Sequence, residues 1–128
     1  MKELVARALL GEREAPGDHL LAGSIPDGVI LRRGWLVPRL GGWMARMKGP
    51  AAAVTLGQTI VLAPGVTLTP QLLTHELAHV TQWKHDRLFP VRYVLASVRH
   101  GYRNNPYELE ARALAHSAPA TLPREDIT

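Results

Sequence analysis

The sequence predicts one α+β domain, with a small, mostly antiparallel sheet packed on a central helix and further helices towards the C-terminus. Three observations carry this expectation. Two β-prone runs, Ala52 to Leu56 and Thr59 to Leu62, flank Gly57-Gln58 at the spacing of a two-residue hairpin turn. Three helical segments then follow between Thr69 and His116, each with a proline at or near its start. A chain of 128 residues, 46% of them hydrophobic, leaves room for one domain with a modest core.

Each element has its own signal. Residues 2–14 have the pattern of a short amphipathic helix, with Leu4, Val5, Ala8 and Leu9 on one side and Gly11 as a breaker. From Ala15 to Gly34 the chain is rich in Gly, Pro and Asp, and Val29 to Leu31 reads as a short strand. A helix over 38–47 opens on Pro38 and stops at Gly49-Pro50. After the hairpin, Thr69 is placed as an N-cap and Pro70 at the first helical position of a helix reaching about Lys84. Leu73, Leu77 and Val80 there keep the i, i+4, i+7 spacing of a buried stripe. The next helix starts near Pro90; Val91, Val94, Leu95 and Val98 give it one apolar face, read as core, and Gly101 follows its end. The third runs from Asn105-Pro106 to about His116. The domain so read spans 1–117, and 118–128 reads as a flexible tail; no internal repeat is present.

Composition narrows the function classes. Cysteine is absent, so there is no disulfide framework, and any metal site must use histidine and carboxylate ligands. Glu3 and Arg7 interrupt the apolar run at the N-terminus, so no signal-peptide core forms there. No stretch approaches the ~20 apolar residues that cross a bilayer. The expectation is a soluble, cytoplasmic protein. The net charge is +4. Much of the excess lies in Lys84, Arg87, Arg92, Arg99 and Arg103, set against the single acid Asp86. That 84–103 stretch reads as a solvated helix face, with contact to nucleic acid or anionic lipid as the alternative. No helix-turn-helix pattern or aromatic-plus-basic sheet motif supports a nucleic-acid role.

The chemistry sits on the helix after the hairpin, at His75-Glu76-Leu77-Ala78-His79. Histidines four apart share one helix face, about 6 Å apart along the axis, and both imidazoles can converge on one ion. Glu76 is rotated about 100° from His75 around the axis. It is too offset to join the ligands comfortably, yet near enough to take a proton from a water on the ion. His75, Glu76 and His79 also lie on the helix that carries the Leu73, Leu77 and Val80 stripe. Unpaired burial there costs roughly 2–7 kcal/mol per polar group, so the three need a common partner. The competing reading is a pair of exposed histidines beside an acid.

The stretch Gly57 to Gln82, GQTIVLAPGVTLTPQLLTHELAHVTQ, resembles the active-site segment of gluzincin-type zinc metallopeptidases. In particular it is similar to the compact bacterial eCIS core domain family. The resemblance covers residues 52–114 and hardly touches the first forty. It implies a zincin-like fold, a Zn2+ cofactor, a peptide or protein substrate, and a third ligand supplied as a glutamate from a later helix.

Candidates for that third ligand compete. His85 matches metzincin spacing, but those proteins need a glycine where this chain has Gln82. Moreover, Met44 and Met47 both precede the motif, so no Met-turn follows it. His100 would suit an SprT-like protease acting near DNA. Glu108, in Asn105-Pro106-Tyr107-Glu108-Leu109-Glu110-Ala111-Arg112, resembles the gluzincin glutamate helix and is preferred, with Glu110 as fallback. Asn105-x-x-Glu108 is equally a capping box, in which Glu108 needs no metal. Where the family has a supporting Asp, this chain has Arg112, so a backbone carbonyl, Asn104 or Asp86 would have to support a histidine ligand. Tyr93, Tyr102, Tyr107 and His100 are candidates to polarise a scissile carbonyl, and His19 and His116 read as surface residues.

The expected function is zinc-dependent peptide hydrolysis, with His75, His79 and Glu108 as metal ligands and Glu76 as general base. The alternative is a non-catalytic, zinc-stabilised binding module of a larger assembly.

Overall fold

The computed structural model describes residues 1–19, 22–45 and 47–117; the expected tail at 118–128 lies outside them. Among these residues the order is α1 (Lys2–Leu10), β1 (Glu12–Glu14), two 3-10 turns, β2 (Ile30–Arg33), α2 (Leu36–Met44), β3 (Ala53–Leu56), β4 (Thr59–Leu62), α3 (Pro70–His85), α4 (Phe89–Asn104) and α5 (Pro106–His116). The α+β class holds.

The four strands form one sheet in the order β1-β2-β4-β3. β3 and β4 make the expected hairpin, with Leu56 opposite Thr59 and Gly57 at φ 65°, the positive φ that so tight a turn needs. β1 pairs antiparallel with β2, but β2 runs parallel to β4, Leu31 opposite Ile60. The sheet is therefore mixed. A parallel pair needs a long crossover, here through α2 and β3, and pairing at that separation leaves no local periodicity to read.

The expected helix over 2–14 stops at Leu10, and Glu12–Glu14 becomes an edge strand. Gly11 makes the change at φ 94°, and a side chain there would run into the Arg33 carbonyl. α2 begins at Leu36, so Pro38 sits inside the first turn, where no backbone N–H is required.

One sheet face carries Leu31, Ile60 and Leu62, all essentially inaccessible, against Leu68 and against Leu73 and Val80 of α3. Burying each such side chain contributes about 1.5–3 kcal/mol, an upper range because the unfolded chain already buries some surface. Val61 on the opposite face is equally buried, so β4 is covered on both sides. Its parallel neighbour Arg32 is buried too, and its guanidinium is satisfied by the Gly11 carbonyl and both Glu3 carboxylate oxygens.

α3 is capped as expected, since the Thr69 hydroxyl accepts the Leu72 N–H and Pro70 stands at its start. α5 packs chiefly on α3. The residues α5 buries are Glu108, Ala111 and Ala115, a single face in which two small side chains allow close approach.

The apolar face assigned to the second C-terminal helix is not core. Val91, Val94, Leu95 and Val98 are exposed, and α4 buries only Phe89. Phe89 draws the helix inward by the other side, where it packs against Trp83, Tyr93 and Tyr107 with ring centroids 5.0–5.6 Å apart. Gly101, at φ 77°, breaks the helical conformation within α4 rather than ending it.

Candidate metal centre

His75 and His79 lie one turn apart on α3, and the buried face of α5 delivers Glu108 to both. Glu108 Oε1 is 3.1 Å from His75 Nε2, and Oε2 is 3.1 Å from His79 Nε2. The two Nε2 atoms are 3.3 Å apart. Ligands of a tetrahedral ion at about 2.0–2.1 Å stand about 3.3–3.4 Å from one another, so this spacing is that of two imidazoles sharing one ion. The carboxylate needs to relax by only a few tenths of an ångström to join them. Two nitrogens and one carboxylate fit a borderline-soft divalent cation, and the three groups could hold one.

The tautomer of His79 follows from its neighbour. Gln82 Nε2 donates to the Tyr107 carbonyl and to Glu110 Oε1, both at 3.1 Å, so its Oε1 is the acceptor facing His79 Nδ1 at 2.8 Å. His79 therefore carries a proton on Nδ1, which leaves Nε2 as the nitrogen turned to Glu108 and to any ion held between them. The histidine support left open between a backbone carbonyl, Asn104 and Asp86 is thus Gln82. Arg112 takes no part; it points to the Tyr102 and Arg103 carbonyls at the C-terminal end of α4, where a cation is favoured.

Glu76 stands beside the triad without joining it. Its Oε1 accepts from the Thr55 hydroxyl at 2.8 Å, and its Oε2 is 3.9 Å from His75 Nε2. Burial pushes its carboxyl above the usual range, against the opposing pull of His79, His75 and Thr55. Burial works in the same direction on Glu108, but hydrogen bonds from His75, His79 and Tyr93 outweigh it and hold that carboxyl well below the usual range. For His79, burial disfavours the imidazolium, and the Glu108 carboxylate more than compensates, so its affinity for a proton is raised. A proton at that position balances the charge of Glu108, and a cation can replace it.

Glu108 does not complete a capping box at the start of α5. Asn105 does cap α5, accepting the Tyr107 N–H at 2.9 Å, while its own N–H bonds to the Tyr102 carbonyl. Glu108 is turned away from the cap towards the histidines. Glu110 is exposed and reaches the centre only through Gln82.

Of the carbonyl-polarising candidates, the Tyr93 hydroxyl donates to Glu108 Oε2, and Tyr102 also lies within electrostatic reach of Glu108. Both phenols are held protonated by burial and then by that carboxylate. Tyr107 belongs to the aromatic cluster around Phe89. His100, His85 and His116 are exposed, and the structure brings none of them to the centre. His19 is not a surface residue as expected; its side chain is 9% exposed and lies 3.1 Å from Glu14.

Two contributors escaped the sequence reading. Gln82 had a signal, being three residues beyond His79 on the same helix face. Thr55 had none, because its contact with Glu76 depends on how the sheet packs on α3.

Comparison with known families bears on this same region. Residues 44–87 match the eCIS core domain family. The matched stretch is about a third of the chain; it holds the β3–β4 hairpin, α3, Thr55, His75, Glu76, His79 and Gln82, and stops before Glu108. No curated protein and no solved structure matches the chain.

Proposed function

We propose that this protein is a zinc-dependent peptidase in which His75, His79 and Glu108 hold the ion and Glu76 is the general base. The observation that carries the reading is the pairing of a three-ligand cluster with a second carboxylate, beside that cluster and separately held by Thr55. A zinc ion in such a site supplies Lewis-acid polarisation of a carbonyl and lowers the pKa of a bound water. The chain itself supplies proton movement. Glu76 takes a proton as the water oxygen adds to the peptide carbon, then delivers it to the amine nitrogen as the C–N bond breaks. The Thr55 hydroxyl, bonded to Oε1, leaves Oε2 as the working oxygen. β3 is an edge strand of the sheet, and an extended peptide can add beside it. The Trp83 indole holds the Thr55 carbonyl at 3.2 Å and limits the free edge at that end.

One observation favours a second reading, a non-catalytic module in which zinc ties α3 to α5. Glu76, His79 and Glu108 side chains are 5–8% exposed and His75 17%, so access to the centre is narrow and lies beside His75. Metal analysis and peptide-library digestion of the purified protein separate the two. The peptidase reading expects about one zinc per chain, lost in His75→Ala and His79→Ala, and hydrolysis that disappears in Glu76→Gln while the zinc stays. Zinc without hydrolysis in the wild type leaves the module; a wild type that binds zinc no better than the double histidine variant refutes both.

A further inference from the structure

α4 carries two unlike sides. One holds Phe89 and Tyr93 against α3 and α5, with Tyr93 reaching Glu108. The other presents Leu88, Val91, Val94, Leu95 and Val98 to solvent, from 45% exposed at Val94 to 80% at Val98. On a helical wheel the last four fall within about 100° of one another. Pro90, Val91, Val94 and Leu95 line a shallow depression of about 380 Å³. Isolated exposed leucines are ordinary, but a contiguous aliphatic stripe on one helix marks a contact surface.

Charge indicates what the stripe meets. Arg92 and Arg99 stand along one border of it, and Arg87 precedes the helix; Lys84 and Arg103 extend the basic character at either end, and all five are exposed. The only acid in the stretch, Asp86, is engaged by Arg92 at 2.9 Å. The stripe itself is wholly aliphatic. It has no aromatic or arginine anchor at its centre, as protein interfaces favour, and no exposed aromatic ring on which a base could stack. Aliphatic side chains with long basic ones along their edge are the arrangement of a helix lying in the plane of a bilayer surface, where the arginine stems follow the apolar layer and the guanidinium groups meet lipid phosphates.

We propose that the Leu88–Val98 face of α4 docks on an anionic lipid surface. Among the described residues no helix is long and apolar enough to cross a membrane, and the contact proposed is a peripheral one. Docking would leave the Tyr93 side of α4, and with it the His75–His79–Glu108 cluster, facing away from the lipid.

The test uses the full chain and vesicles of phosphatidylcholine alone or with about a third phosphatidylglycerol, by co-sedimentation at two salt concentrations. The wild type should bind the anionic vesicles, weakly at high salt, and leave the neutral ones. Each arginine near an anionic surface is worth about a fivefold change in partition, so Arg92→Gln/Arg99→Gln should weaken binding about 25-fold. Val94→Asp/Leu95→Asp should abolish it with an unchanged circular dichroism spectrum. Because the chain has no cysteine, Val98→Cys can carry a single environment-sensitive dye, whose emission should shift to the blue on anionic vesicles. Failure of the wild type to sediment with anionic vesicles overturns the proposal, as does binding that Val94→Asp/Leu95→Asp leaves intact. If the wild type instead forms a concentration-dependent dimer that Leu95→Asp dissolves, without lipid binding, the occupant is a second copy and the lipid assignment is wrong.

Discussion

Replacing Gln82 with leucine removes three hydrogen bonds at once, and the structure says what each is worth. The Gln82 side chain is enclosed between α3 and α5, so water cannot readily replace it. The His79 Nδ1–H loses its partner, at about 1–3 kcal/mol for a buried unsatisfied donor, and the Tyr107 carbonyl loses one hydrogen bond, at about 1 kcal/mol. Glu110 is exposed and recovers water at little cost. The sum is about 2–4 kcal/mol, a fall in Tm of about 8–15 °C for a domain of this size. Zinc affinity should fall about 10–100-fold, because nothing then fixes the proton on Nδ1 and leaves Nε2 free. Gln82→Glu separates the two effects. Its carboxylate still accepts from His79 Nδ1, so zinc affinity should stay within about tenfold of wild type. The same carboxylate faces Glu110 and a carbonyl that offers no proton, so stability should drop. Chelator competition measures the zinc, and a thermal melt of the metal-free protein measures the fold. Unchanged zinc affinity in Gln82→Leu would refute the argument that His79 is a ligand held by its tautomer.

Four further outcomes are expected. Glu108→Gln should weaken zinc binding more than about 100-fold, beyond the range of a group acting through another ligand, while His85→Ala and His100→Ala leave metal content unchanged by direct analysis. Thr55→Val should keep the zinc and lower kcat by about 10–100-fold, as one hydrogen bond to a carboxylate is worth about 1.5–3 kcal/mol, measured on any peptide the wild type cleaves. The hydrogen bond from Arg33 holds the Glu14 carboxyl below its usual range, so Glu14 contributes stability at neutral pH that is lost as the carboxylate protonates. Glu14→Gln should therefore be about 1–2 kcal/mol less stable than wild type in urea at pH 7, and the gap should begin to narrow below about pH 4 and close as the pH falls through the lowered folded-state pKa. Ala111→Leu should cost about 1–3 kcal/mol by overpacking and weaken zinc binding with every ligand intact, read by urea unfolding and chelator competition.

The legible parts of this protein were those that depend on near neighbours. The Gly57-Gln58 hairpin, the Thr69-Pro70 start of α3 and the His75–Glu76–His79 geometry all follow from residues within four positions of one another. The illegible parts were decided at a distance. The β2–β4 pair is parallel because of a crossover, and Thr55 meets Glu76 because the sheet lies on α3. The face of α4 was misread for another reason. Val91, Val94, Leu95 and Val98 form a good apolar stripe, and periodicity alone cannot tell a stripe that packs from one left exposed. Phe89 and Tyr93 compete for the same helix from its other side, and the aromatic cluster with Trp83 and Tyr107 won.

That competition also shapes the centre. Had α4 buried its valines, Tyr93 would have turned to solvent and Glu108 would have lost its hydroxyl donor. Instead the aromatic side faces inward, and Asn105, fully buried, fixes the corner by donating to the Tyr93 carbonyl and to Ser97 Oγ while accepting from Tyr107. The corner sets where α5 begins. The spacing from Asn105 then puts Glu108 on the same face as Ala111 and Ala115, the two residues small enough to bring that face against α3. Glu108 reaches the histidines because two alanines let it.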